Sequence, residues 1–153
     1  MTRKVLAAGV RWVQYRDKTS SRRKAYEEAM KLRAVTREAH AALLINDYSD
    51  ISIAVDAEGV HLGQDDLPLR EARIILGKDK IIGISTHSIE QAVEAEQDGA
   101  DYIAFGPVFQ TATKDAGSPK GVEMLRTIKN RVGIPVIAIG GINLRNLSSV
   151  FET

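Results

Sequence analysis

The 153-residue chain has no cysteine, which excludes disulfides, thiolate metal sites and a cysteine nucleophile. It has no apolar run of bilayer length, about 18–20 residues. Its opening stretch, MTRKVLAAGVRW, lacks the long apolar segment of a signal peptide. A soluble, cytoplasmic protein is expected. No block of like charge stands out either: SSRRK at 20–24 is short and opens a helix-like segment. The formal net charge of +1 argues neither for nor against nucleic acid. Small molecules are the expected partners, with neither nucleic acid nor membrane. No G-x-G-x-x-G follows a strand, so the dinucleotide fold loses its usual marker. His40, His61 and His87 are too dispersed for a metal triad, and no serine–histidine–acid set is apparent.

What is present is the composition of a globular domain, 44% hydrophobic and 27% charged. A single domain over 1–153 is expected. Strand-like runs stand at 11–15, 42–46, 59–62, 80–85, 101–106 and 134–141. Several are apolar almost throughout, as strands buried on both faces of a parallel sheet read. Between them, helical periodicity runs over 21–39, 68–76, 88–98 and 121–131. Gly77 and Gly99 close helices, and Ser88 with Gln91 reads as a capping box. Regular βα alternation implies a parallel α/β fold. Polar residues follow strand after strand, in QYRDK, IND, GQDD, STHS, GPVFQTATK and IGGIN. That distribution favours a (β/α)8 (TIM) barrel, in which all strand C-termini open onto one face.

Asp47 ends the second strand, and Asp65 and Asp66 follow the third. Carboxylates on adjacent strand ends suit a shared Mg²⁺; equally, each aspartate suits the cap of the next helix. In VQYRDK, Gln14, Arg16 and Lys18 alternate along an extended run and so share one side, with Tyr15 and Asp17 on the other. That trio suits an anionic ligand, or else forms a solvated rim paired to Asp17. In FGPVFQTATKDAG, Gly106 permits a close turn, Thr111 and Thr113 offer hydroxyls, and Lys114 adds charge. The combination is a phosphate cradle or an ordinary polar loop. Gly140 and Gly141 expose N–H groups ahead of a helix for which Asn143 is the expected N-cap. Trp12, Tyr102 and Phe105 read as core.

VQYRDK, INDYSDISIAVDAEGVHLGQDDLP, KIIGISTHSIEQAVEAEQDGADYIAFGPVFQTATK and IPVIAIGGI, in this order and spacing, resemble the thiamine-phosphate synthase family over nearly the whole chain. The resemblance implies a (β/α)8 barrel. Its implied reaction joins an aminopyrimidine diphosphate to a thiazole phosphate with Mg²⁺, forming thiamine phosphate and releasing pyrophosphate. It assigns Gln14, Arg16, Lys18 and Asn46 to the pyrimidine diphosphate and Ser85 to the pyrimidine. Asp47 and Asp66 become the metal ligands. Thr111 and Thr113 take the thiazole phosphate, Lys114 the diphosphate, and Gly140 and Gly141 the later phosphate turn. Arg16, Lys18 and Lys114 stabilise the leaving group. Tyr15 stands where leucine is usual. A thiazole tautomerase shares the fold but tends to carry histidine in the segments where Gln64, Thr86 and Pro107 take the synthase form.

Only six strands are recognisable, and the resemblance implies eight, so the first and last are expected to be missing. The barrel is then incomplete, with two open strand edges. Three expectations follow: an active transferase restored by homo-oligomerisation or strand exchange, a non-catalytic remnant that binds phosphate ligands, or a fragment of a longer protein.

Overall fold

A computed structural model describes residues 1–111 and 117–153. The chain divides into two compact units, Met1–Ile82 and Gly83–Thr153.

The first unit opens with α1 (Thr2–Ala7) and alternates β1 (Trp12–Tyr15), α2 (Arg22–Glu38), β2 (Ala42–Asn46), α3 (Ser49–Ala54), β3 (Gly59–Leu62) and α4 (Leu69–Leu76). Ser21 caps α2 by accepting from the Lys24 N–H at 3.3 Å. The helix buries Ala25, Ala29 and Thr36, small residues that let it lie close to the sheet. The strands are parallel and pair in chain order: Gln14 opposite Leu44 in β1–β2, and Asn46 opposite His61 in β2–β3. Because side chains alternate along a strand, this register separates two faces. Val13, Tyr15, Leu43 and Ile45 pack with Ala25, Ala29, Ile51 and Val55 beneath the helices. Trp12, Gln14, Ala42, Leu44, Asn46, Gly59 and His61 share the opposite face.

In the second unit β4 (Ile81–Thr86, its first two residues belonging to the first unit) is followed by α5 (Ile89–Gln97), β5 (Tyr102–Phe105), α6 (Gly121–Arg131), β6 (Val136–Ala138) and α7 (Leu147–Phe151). Here too the strands are parallel and in chain order, with Ser85 opposite Ala104 and Ala104 opposite Ile137. Neither unit reverses its strand order, as a doubly wound sheet does at its switch point. The fold is α/β with the connectivity of the (β/α)8-barrel family, with six of its eight strands among the described residues.

Most sequence-derived elements hold to within a residue or two. β6 is shorter than the run 134–141 because Gly140 and Gly141, at φ of 88° and 68°, turn the chain out of extension. The sequence reading has no counterpart for α3, a six-residue helix too short to display a period. Ser88 does accept from the Gln91 N–H, but the Gln91 amide oxygen takes the His87 N–H at 2.7 Å, so the capping box closes one residue early. The Asn143 cap is not formed. Its side chain accepts from the Arg145 N–H within a turn, and α7 begins only at Leu147.

Among the described residues β1 pairs only with β2 and β6 only with β5, so the two expected edges are open there. Trp12 is therefore 43% exposed instead of core, and Ile137 and Ile139 are each 40% exposed, whereas β3 and β5 are fully buried. Among the described residues no helix is long and apolar enough to cross a membrane.

Candidate active site

The first unit gathers four of the expected residues, Gln14, Arg16, Lys18 and Asn46, around one acid pair, Asp47 and Asp66. Asp47 follows β2 with a left-handed φ of 67°, and its N–H donates to the His61 carbonyl at 2.9 Å. This lashes the end of β2 to β3. The Asp47 side chain does not cap α3, whose N-cap is Tyr48 with no side-chain cap bond. Asp66 does not cap α4, whose N-cap is Pro68; its Oδ2 accepts from the Gly63 N–H at 2.7 Å and closes the loop after β3. Released from capping, the two carboxyls meet within hydrogen-bonding contact.

That contact has an electrostatic consequence. Burial, first, and then the Asp66 carboxyl beside it push the Asp47 pKa above the usual carboxylate range, against the pull of Lys18 and Arg16. Lys18 Nζ stands 3.7 Å from Asp47 Oδ2. Gln14 donates to Asn46 Oδ1 at 3.2 Å, and Asn46 Nδ2 in turn donates to Asp47 Oδ1. The amides thus orient the carboxyl. Gln14, Arg16 and Lys18 are all exposed, on the side expected from their alternation.

A pairing of these cations with Asp17 does not form. Asp17 Oδ1 accepts from the Thr19 N–H, the Thr19 hydroxyl and the Ser20 N–H at 2.9–3.0 Å. Those bonds hold its carboxyl well below the usual range and leave the neighbouring cations for other partners. Tyr15 packs under the helices, away from the trio.

His61 is buried on the face that carries Asn46. Its place beside the site was not foreseen; the signal was its strand position two residues ahead of the acid-bearing loop. Burial pushes its pKa down to about 4, although the Asp66 charge opposes this. A histidine held neutral supports the fold fully above pH 6.5. That support is lost as pH falls towards 4, because the unfolded chain takes up the proton first. Relative to His61→Gln, the native chain is expected to lose about 3 kcal/mol over that interval, measured as the urea midpoint at each pH.

In the second unit, Ser85 lies on the β4 face shared with Ala104 and Ile137. His87 Nδ1 is 2.7 Å from the Gly106 carbonyl, a contact within the protein scaffold. Gly106 permits a close approach of the protein itself, since a Cβ there would sit 2.3 Å from the Ile139 carbonyl oxygen. Gly140 and Gly141 are obligatory in the same way, with Pro107 Cα 2.5 Å and the Gln110 oxygen 2.4 Å from the positions a Cβ would take. Their own N–H groups have no hydrogen-bond acceptor among the described residues. Close packing and a donor pair for an anion therefore coexist in this turn. Thr111 is half-buried after β5. Thr113 and Lys114 lie outside the described residues. Among the described residues no group of three metal-ligating side chains gathers, so the acid pair is the candidate for a cation.

The model of the family described as thiamine monophosphate synthase matches residues 1–153. A thiamine-phosphate synthase of Halalkalibacterium halodurans is 49% identical over 96% of this chain and 70% of its own. One of Syntrophomonas wolfei is 51% identical over 99% and 73%. The solved thiamine phosphate pyrophosphorylase of Pyrococcus furiosus superposes with a TM-score of 0.90 at 44% identity, over 98% of this chain and 72% of that one. With the βα connectivity and the paired strand-end carboxylates already in place, a match over the full length leaves one conclusion: the chain belongs to the thiamine monophosphate synthase family.

Proposed function

We propose that the chain is a thiamine-phosphate synthase, a transferase that condenses 4-amino-2-methyl-5-hydroxymethylpyrimidine diphosphate with thiazole phosphate. The products are thiamine phosphate and pyrophosphate. The observation that carries the reading is the Asp47–Asp66 carboxyl pair with Lys18 and Arg16 beside it.

Two adjacent carboxyls, one of them resisting ionisation through burial and then through its neighbour, fit a hard divalent cation, whose charge would favour the ionised form of both. Asp47 and Asp66 would hold Mg²⁺, which when bound supplies Lewis-acid neutralisation of a diphosphate. Asn46 and Gln14 keep the Asp47 carboxyl oriented through their chain of hydrogen bonds. Arg16 and Lys18 grip the diphosphate oxygens, the guanidinium bidentately and the ammonium as a point charge; the resemblance adds Lys114 to them.

The bond that breaks joins the exocyclic methylene carbon to the diphosphate oxygen, and the electron pair leaves with pyrophosphate. The electron-rich aminopyrimidine, with Ser85 assigned to it, supports the positive charge left on the methylene. The thiazole nitrogen then forms the new C–N bond. Thr111, Thr113 and the Gly140 and Gly141 N–H groups hold the thiazole phosphate, so the nitrogen arrives already positioned. No protein nucleophile enters this sequence.

Incubation with both substrates and Mg²⁺ is expected to release pyrophosphate and thiamine phosphate in equal amounts. Thiazole tautomerisation without condensation would replace the reading with an isomerase. Phosphate-ligand binding without turnover would replace it with a non-catalytic homologue.

A further inference from the structure

Away from the acid pair, the first unit carries a second set of cationic groups with unused donors. A cleft of about 280 Å³ opens at the N-terminal end of β2, lined by Arg33, Arg37, His40, Ala41, Ala42 and Glu58. We propose that this cleft binds a small phosphate-bearing anion, at a site separate from the catalytic one. Ala42 and Asn46 stand at opposite ends of β2, so about 13 Å of strand separates the cleft from the acid pair.

The donors come from one helix end. Arg33 has only 12% of its side chain exposed, and its guanidinium is fixed by Glu58 at 2.7 and 3.1 Å. Its Nε is buried without an acceptor among the described residues, which is uncommon for a charged side chain. Arg37 spends a single N–H on a side chain, that of Asp56 at 3.0 Å. Its four remaining donors have no partner among the described residues. His40, at a left-handed φ of 50°, follows the C-cap of the same helix, with no hydrogen bond to its ring among the described residues.

The acidic groups nearby are already committed. Glu58 is held by Arg33 and by the Leu43 N–H at 2.7 Å. Asp56 is shared by Arg37, Lys80 and, at 3.9 Å, Arg33. Three cations against two carboxylates leave a positive surplus before His40 is considered. The C-terminal carbonyls of α2 would repel an anion, but those of Thr36 and Arg37 accept from the Ala39, His40 and Ala41 N–H groups. An arginine with paired donors on one edge suits phosphate geometry. The alanine floor and the small volume limit the ligand to inorganic phosphate or a short phosphomonoester.

The test is an NMR titration of the full chain at low ionic strength, following the His40 ring and the Arg37 side chain. Inorganic phosphate and glycerol phosphate serve as parallel probes, and the tighter of the two identifies the source. Saturable millimolar shifts are expected at both groups. They should survive Lys18→Ala, which strips the catalytic cluster, and weaken at least about tenfold in Arg37→Gln. Pyrophosphate release in Arg37→Gln should match that of the native chain. Shifts that fail to saturate, that chloride reproduces at equal ionic strength, or that persist in Arg37→Gln would overturn the proposal.

Discussion

Asp47→Asn is expected to lower kcat/KM for the condensation by roughly a hundredfold to a thousandfold, the usual loss when one preorganised electrostatic group is removed. The Mg²⁺ concentration needed for half-maximal rate should rise with it, because asparagine keeps the shape of the side chain and loses its charge. Stability should move the other way. A carboxyl whose folded pKa lies above its unfolded value favours the fold when protonated and disfavours it as pH rises through the carboxylate range. At neutral pH the ionised Asp47 therefore opposes folding, through burial and repulsion from Asp66. Without Mg²⁺, the thermal midpoint of Asp47→Asn should lie above that of the native chain. Since Asn46 Nδ2 donates to Asp47 Oδ1, the amide oxygen can still accept it. A variant both inactive and less stable would mean that Asp47 serves the fold, and the assignment of a cation to the pair would fall.

Gly59→Ala is expected to cost about 3 kcal/mol of stability. For a chain of this size that lowers the thermal midpoint by roughly 6–12 °C. The new methyl would sit 2.0 Å from the Ile81 carbonyl oxygen and 2.7 Å from its carbonyl carbon. Those are backbone atoms and cannot rotate aside. Their position is itself fixed, because the Ile81 N–H donates to the Glu58 carbonyl at 2.9 Å. On the other side of Gly59, its own carbonyl accepts from the buried Ser52 hydroxyl at 2.8 Å. Relief would have to come from separating the chain at Gly59 from Ile81. Gly133→Ala is the matched control, since its nearest contact is a flexible Glu96 oxygen at 3.4 Å. Differential scanning calorimetry of both variants decides the matter; equal midpoints would show that β3 shifts freely.

The fold was largely legible before the structure because buried parallel strands are apolar on both faces. Runs such as ALLIN and GVHL therefore stand out against the 3.6-residue period of α2. The failures are equally local. α3 spans less than two turns, Asn143 prefers its own turn, and Trp12 lies on an edge strand whose exposed face no local pattern reveals. Of the site, the acid-bearing loops and the alternating cationic strand end could be read from residue type and spacing. Whether an aspartate caps a helix or faces another aspartate could not, because both uses place the same residue after a strand.

By itself, then, the sequence determined the class of fold, the order of the chemical groups along it and the family. Each of these depends on residue type, period and spacing, which are properties of the chain. Tertiary structure alone decided that Asp17 serves its own turn while Lys18 reaches Asp47. It alone decided that Asp47 and Asp66 meet, and that His61 is buried beside Asn46 with its pKa depressed. Those outcomes depend on which groups compete for a hydrogen bond and how far each is withdrawn from water, and packing in three dimensions sets both.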